Sequence, residues 1–150
     1  YNDAGMCRVT QSGDRSKEGV WRDKASSSWI QFEHVDGRKR LVTSYVLECK
    51  NKHLLPSAIE LEGSNDGGES WASLDKQTAL GFDETTTRRE FTVASPAKWN
   101  LYRLRMTAED EAEGIQVDTI ELNEYVHCEQ GTSVATLKID HPVLTLSVHG

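Results

Sequence analysis

The chain has 150 residues, 24 of them acidic and 17 basic, for a formal net charge of −7. That length sustains one ordinary domain with its own core, and a composition of 37% hydrophobic and 27% charged residues excludes wholesale disorder. No apolar run reaches the roughly 20 residues that span a bilayer, and the acidic balance argues against nucleic acid and anionic lipid as partners.

Apolar residues recur at spacing two almost throughout, and no helical stripe lasts three turns, so the periodicity predicts a mostly β chain. In order, strands are expected at 28–33, 40–49, 58–63, 70–74, 88–93, 100–107 and 116–126. The turn signals between them are Asp36-Gly37, Asn65-Asp66-Gly67-Gly68 and the segment 108–114, rich in residues that tolerate positive φ. Short strands at this spacing predict a two-sheet sandwich or jelly roll. Large side chains expected to fill the gap between sheets are Trp29, Phe32, Tyr45, Leu61, Trp71, Phe91, Tyr102 and Leu104. Around 115–122 the apolar phase slips, Ile115 and Val117 on one alternation and Ile120 and Leu122 on the other. A β-bulge or a strand buried on both faces would explain it. Residues 1–128 read as one domain, and 129–150 as a linker running into the start of a following β module, a flanking part of a larger polypeptide.

The three cysteines, Cys7, Cys49 and Cys128, lack metal-ligand spacing, which leaves disulfide pairing or inert burial. Cys49 ends an apolar stretch and reads as a small buried hydrophobe. Cys7 and Cys128 flank nearly all the patterned sequence, so a bridge between them would tie the ends of one domain together. His34, His127, His141 and His149 are scattered without ligand spacing, and no metal site is expected from them. No nucleophile elbow, phosphate-binding glycine loop or zinc signature is present.

Five blocks carry a resemblance: Trp29-Ile30-Gln31-Phe32; Val42-Thr43-Ser44-Tyr45-Val46-Leu47; Ile59-Glu60-Leu61-Glu62-Gly63-Ser64-Asn65-Asp66-Gly67-Gly68, with Trp71 and Leu74-Asp75 following; Tyr102-Arg103-Leu104-Arg105-Met106-Thr107; and Ile115 to Leu122. In this order and spacing, over roughly residues 5–126, the chain resembles the discoidin (coagulation factor 5/8 type C) domains and the related family 32 carbohydrate-binding modules. The resemblance implies an all-β, discoidin-like (galactose-binding-like) β-sandwich jelly roll. It also implies a non-catalytic carbohydrate-binding module of a larger secreted or cell-surface protein, one that acts on glycosides.

The alternatives are an adhesion domain that touches protein or membrane through the tips Leu54-Leu55 and Trp21, and a spacer that has lost its ligand. The family's structural calcium ion is not expected here, because the stretch from Ser16 to Trp21 runs into Arg22-Asp23-Lys24 without an Asp-Gly pair, and Thr119 stands in place of a glutamate. Glu18, Asp23 and Asp118 are the fallback ligands, and no other cofactor is implied. Ligand is expected on loops at one end of the sandwich, from segments 20–27, 50–56 and 108–114. Sugar recognition needs hydrogen-bonding groups for the hydroxyls and an aromatic ring for the apolar face. The residues of those types are Trp21 as platform with Arg22 beside it, Asn51 and His53 as the polar pair, and Asp110 within the acidic run Glu109-Asp110-Glu111.

Overall fold

A computed structural model describes residues 7–11, 14–15, 21–34, 37–109, 112–128, 131–140 and 143–149; among them every regular element is a strand. In chain order these are β1 (Cys7–Gln11), β2 (Asp14–Arg15), β3 (Trp21–Asp23), β4 (Ser27–His34), β5 (Arg40–Glu48), β6 (Pro56–Ser64) and β7 (Ala72–Thr78). There follow β8 (Arg88–Thr92), β9 (Lys98–Trp99), β10 (Leu101–Ala108), β11 (Ile115–Val117), β12 (Thr119–Cys128), β13 (Gly131–Asp140) and β14 (Val143–His149). One sheet runs β1-β4-β10-β6-β7 and the other β14-β13-β12-β5-β8, with β9 also on β5. A small sheet, β11-β3-β2, lies outside both, and every pairing is antiparallel. This is a two-sheet antiparallel β-sandwich, as the strand pattern predicts.

The alternation in each strand decides what enters the core. Ile30 and Phe32 of β4, Ile59 and Leu61 of β6, and Tyr102, Leu104 and Met106 of β10 point inward from the first sheet, against Val42, Tyr45, Leu47, Phe91, Ile120 and Leu122 of the second. Burying side chains of this size contributes about 1.5–3 kcal/mol each. Two polar links cross the gap. The Tyr102 hydroxyl donates to the carbonyl of Arg40 at 2.5 Å and accepts the Val42 N–H at 3.2 Å. The Tyr45 hydroxyl donates to Asp75 Oδ2 at 2.6 Å. Asp75 is buried beside Leu74 because β7 bulges opposite Leu61 and Glu62, which turns two successive residues inward.

Trp29 and Trp71 do not belong to the core. Trp29 is one residue out of phase with Ile30 and Phe32, so it lies on the outer face, opposite Arg105 in the register and half-buried. Trp71 precedes β7 and packs its ring under the Arg103 guanidinium, 3.9 Å from the ring centre. The gap at that end is closed instead by Trp99, whose ring lies across the backbone of Gly63; a Cβ there would sit 2.4 Å from Trp99 Cγ.

The phase slip at 115–122 is neither a simple bulge nor one doubly buried strand. The chain bends at Asp118, and β11 pairs with β3 whereas β12 pairs with β5. Ile115, Gln116 and Val117 are all buried, and the new alternation begins with Ile120 and Leu122. The register with β5 shifts further on, opposite Asn123 and Glu124, where Thr43 of β5 is the extra residue. The turn 65–68 joins β6 to β7 as expected, with φ of +75° at Gly67 and +91° at Gly68. Beyond Cys128, β13 pairs with β12 and β14 with β13, so the segment 131–149 continues the second sheet.

Candidate functional site

The described residues of segments 20–27, 50–56 and 108–114 meet at one end of the sandwich, joined through their backbones. The Ala108 N–H donates to the Ser26 carbonyl at 2.8 Å, Glu109 N–H to Leu55 O at 3.3 Å, and Gln116 N–H to Leu54 O at 2.9 Å. Gly114 makes the closest approach. Its φ is +137°, and a Cβ on it would fall 2.2 Å from the carbonyl oxygen of Asp23, so the first and third segments touch at a point only glycine can occupy. A fourth segment, the connection from β7 to β8, reaches the same end through Cys49 N–H donating to Thr87 O at 2.7 Å.

The second and fourth of these segments, with Gln116 of β11, border an open depression of about 490 Å³ lined by Lys50, Asn51, Lys52, Glu84 and Gln116. Each lining residue has a local reason for its place. Lys50 follows the end of β5, and its N–H donates to Asp118 Oδ1 at 2.8 Å across the bend between β11 and β12. Asn51 folds its own loop: its Oδ1 accepts the His53 N–H at 2.9 Å and its carbonyl accepts the Leu54 N–H at 3.1 Å, an Asx-type turn. Lys52 pairs with Glu84, because continuing the β5–β8 register four residues past Glu48–Arg88 brings these two opposite each other. Glu84 itself follows Asp83, whose Oδ1 accepts the N–H groups of Thr85 and Thr86 at 2.8 and 2.7 Å. Those bonds hold the Asp83 carboxyl below the usual carboxylate range, the Thr86 N–H contributing most.

Of the residues singled out from sequence, Arg22 is exposed on β3 directly opposite Gln116 on β11. Its Nε donates to Gln116 Oε1 at 3.1 Å and its Nη2 donates to the same oxygen. Arg22, Gln116 and Asn51 therefore belong to one polar rim. His53 is exposed beside it and is absent from the lining of the depression. Trp21 opens β3, its backbone paired with Val117 and Arg15, so it begins a short strand and is not the loop residue expected. Asp110 lies outside the described residues. Leu54 and Leu55 do not form an apolar tip: Leu55 is in the core and Leu54 half-buried.

Of the fallback calcium ligands, Asp23 and Asp118 are described, and each carboxylate is engaged by a backbone N–H. Asp23 Oδ1 accepts the Ala25 N–H at 2.9 Å and Asp118 Oδ1 that of Lys50, and Glu18 lies outside the described residues. Among the described residues no three His, Cys, Asp or Glu side chains gather where a metal could be held. Cys49, at the base of this end, offers no nucleophile. Burial first, then the charges of Asp118 and Glu48, push its thiol far above its ordinary value, and the side chain is a packed hydrophobe as its place in the sequence suggested.

Lys50, Lys52, Glu84 and Gln116 were missed in the sequence. Gln116 reads as a strand residue, and it is one; its role follows from facing Arg22. Glu84 sits in the polar run Asp83-Glu84-Thr85-Thr86-Thr87, which marks a turn, but its pairing with Lys52 depends on β5 lying beside β8, which no local pattern discloses.

No family model matches the chain. Among curated proteins it is 32% identical over 102 residues to a peptide-N(4)-(N-acetyl-beta-glucosaminyl)asparagine amidase of Arabidopsis thaliana, which covers 65% of this chain and 14% of that protein's length. Among solved structures, the family 32 carbohydrate-binding module of Clostridium perfringens NanJ, in complex with galactose, matches with a TM-score of 0.59 at 10% identity, over 80% of this chain and 95% of that one. Chitosan-binding module 1 from the chitosanase/glucanase of Paenibacillus sp. IK-5 matches with a TM-score of 0.58 at 18% identity, over 81% and 98%. The chain thus has the fold of the family 32 modules.

Proposed function

We propose that this chain is a non-catalytic carbohydrate-binding module carried by a larger protein that acts on glycans. The observation that carries the reading is the polar depression of Lys50, Asn51, Lys52, Glu84 and Gln116 at the loop end of a sandwich with the family 32 fold. Open, solvent-filled and rimmed by hydrogen-bonding side chains, it suits a ligand whose hydroxyls exchange water for protein one bond at a time. An open site with no buried nucleophile or matched acid and base has little to offer catalysis.

The Arabidopsis relative is named for cleaving the bond between an asparagine and an N-acetylglucosamine. Since the chain spans 14% of that protein's length, its own role is that of an appended module: it holds glycoprotein or glycan near a catalytic domain elsewhere in the polypeptide. The proposed ligand-binding set is Trp21, Arg22, Asn51, His53 and Asp110, with the lining residues Lys50, Lys52, Glu84 and Gln116 added to it. A secreted or cell-surface address belongs to the same reading. A Cys7–Cys128 bridge would support that address, and three titratable thiols in denaturant without reductant would count against it.

The direct test is a glycan array of residues 1–150, with and without calcium. Selective binding to one sugar class, lost in Trp21→Ala and Asn51→Ala chains that keep their melting temperature, is the expected result. A blank array from well-folded protein would refute the reading and leave adhesion to protein, or a spacer role, in its place.

A further inference from the structure

The fold hosts different sugars, neutral galactose in one relative and chitosan in another, so the ligand class has to be read from this chain's own side chains. The lining of the depression is rich in donors and poor in acceptors. Lys50 and Lys52 bring ammonium groups, which only donate. Gln116 Oε1 is occupied by Arg22 and Asn51 Oδ1 by the His53 N–H, which leaves each amide its N–H groups to offer a ligand. The charged acceptor in the lining is the Glu84 carboxylate, whose Oε1 Lys52 holds, and Asn51 Oδ1 keeps a second lone pair. Lys50 and Lys52 in the lining, and Arg22 bonded to Gln116 beside it, set three cations against Glu84 in the lining and Glu48 and Asp118 at its border, in a chain whose net charge is −7. Lys50 has a second acid, Glu48, at 3.7 Å, with the lysine side chain 62% exposed, so that pairing is loose and screened by water.

A sugar hydroxyl both donates and accepts, and a site built of donors uses half of that capacity. A carboxylate only accepts and takes up to about four hydrogen bonds, each strengthened by charge. Resting on the carbohydrate-binding reading, we propose that this depression recognises a sugar bearing a carboxylate, a uronic acid or a chemically equivalent acidic residue. Glu84 is then the resident stand-in: its carboxylate occupies Lys52 in the empty protein, and the ligand's carboxylate replaces it. The Lys52–Glu84 pair suits this exchange because the two side chains are 52% and 70% exposed, so opening the pair costs little. The same cations exclude glucosamine polymers, whose ammonium groups would meet Arg22, Lys50 and Lys52.

The test is calorimetric or NMR titration of the chain, with Lys52→Gln and Glu84→Gln variants, against galacturonate, glucuronate and mannuronate oligosaccharides, their neutral counterparts and chitosan oligosaccharide. Sodium acetate at matched ionic strength serves as a competitor. The expected result is that one uronate binds about tenfold or more tightly than its neutral counterpart. Glu84→Gln should tighten it by about two- to fivefold and Lys52→Gln weaken it by a similar or larger factor, as for removal of one exposed charge. The preference should shrink between 20 and 500 mM salt, as screening requires, and acetate should compete poorly.

Neutral sugars binding as well as uronates, with Glu84→Gln silent, would overturn the acidic-sugar proposal while leaving the carbohydrate-binding reading intact. Acetate competing fully would reduce the site to an adventitious anion site and overturn the proposal as well. No saturable binding of any sugar would sink both.

Discussion

Replacing Tyr45 with phenylalanine removes one oxygen from the centre of the sandwich, and the consequence can be worked from its surroundings. Tyr45 is 0% exposed and Asp75 4% exposed; the 2.6 Å bond between them joins β5 of one sheet to β7 of the other. The other side-chain donor to Asp75 is Gln77 Nε2, at 3.1 and 3.3 Å from its two oxygens. In Tyr45→Phe the ring still packs on Phe91, 5.4 Å between centroids, so the loss is almost purely the hydroxyl. A hydrogen bond to a charged group contributes about 1.5–3 kcal/mol, and a buried acceptor left without its donor adds its desolvation cost. We expect Tyr45→Phe to lower the unfolding free energy at pH 7 by about 2–3 kcal/mol, read from urea or guanidinium denaturation at unchanged m-value.

A double-mutant cycle isolates the charge. In an Asp75→Asn background the bond becomes neutral to neutral, and Tyr45→Phe should cost only about 1 kcal/mol. A cost below about 0.5 kcal/mol, or the same cost in both backgrounds, would refute the assignment of this pair as a charge-assisted link between the sheets. The pair also bears on alkaline stability. Burial first, then the bond to Asp75 and its charge, hold the Tyr45 hydroxyl far above its usual value. A raised value in the folded state means its contribution is intact below the unfolded pKa near 10 and is lost as pH climbs beyond it. Tyr45 should therefore ionise only as the fold breaks.

At the other end of the pH scale, bonds from the Ser70 hydroxyl, then the Ser70 N–H and Ser64, lower the Asp66 carboxyl to about 2. Its contribution is present above the usual carboxylate value near 3.9 and is lost as pH falls from there toward 2; carbon NMR of the side chain reads the midpoint, and an ordinary value would contradict the geometry. Gly114→Ala should cost about 3 kcal/mol or more, because its Cβ meets the Asp23 carbonyl at 2.2 Å and the Lys24 Cα at 2.8 Å at a φ of +137°; a melting curve unchanged from the parent would mean these segments do not touch. The Cys49 thiol, buried and held protonated, should resist alkylation in the native protein at pH 8 and react at once in denaturant, with peptide mass spectrometry identifying the site. Rapid native labelling would show that this end of β5 opens.

The strands that alternate cleanly were legible because a period of two with large apolar residues has one solution when one face is buried. Thus 40–49 and 100–107 fall almost on β5 and β10. The failures occur where something outside the pattern sets the phase. Trp29 attracted a core assignment by its size, yet Ile30 and Phe32 already occupied the inward phase, and a residue between successive inward positions faces out. Asp75 lies one residue past the strand expected at 70–74, but β7 continues through it and the bulge turns it inward with Leu74. At Asp118 the slip signals a strand leaving one partner for another, which a single sequence cannot separate from a bulge. That loops 20–27, 50–56 and 108–114 gather at one end of the sandwich was legible. The Lys52–Glu84 pairing was not, because it depends on two strands about 40 residues apart lying side by side.

The way this end is held explains how one framework could carry different ligands. Its segments are tied by backbone bonds: Ala108 to Ser26, Glu109 to Leu55, Gln116 to Leu54 and Cys49 to Thr87. Backbone bonds are indifferent to the side chains at those positions, so Lys50, Lys52 and Glu84 can change with little cost to the fold. The opposite holds one layer deeper. Tyr45, Asp75 and Gly114 are bound to their neighbours by side-chain bonds or by the absence of a side chain, and they govern stability without facing the depression. The side chains at the depression are thus not those that hold the fold, and on the proposed reading the charge pattern around Glu84 can set ligand preference free of the constraints that keep the sandwich closed.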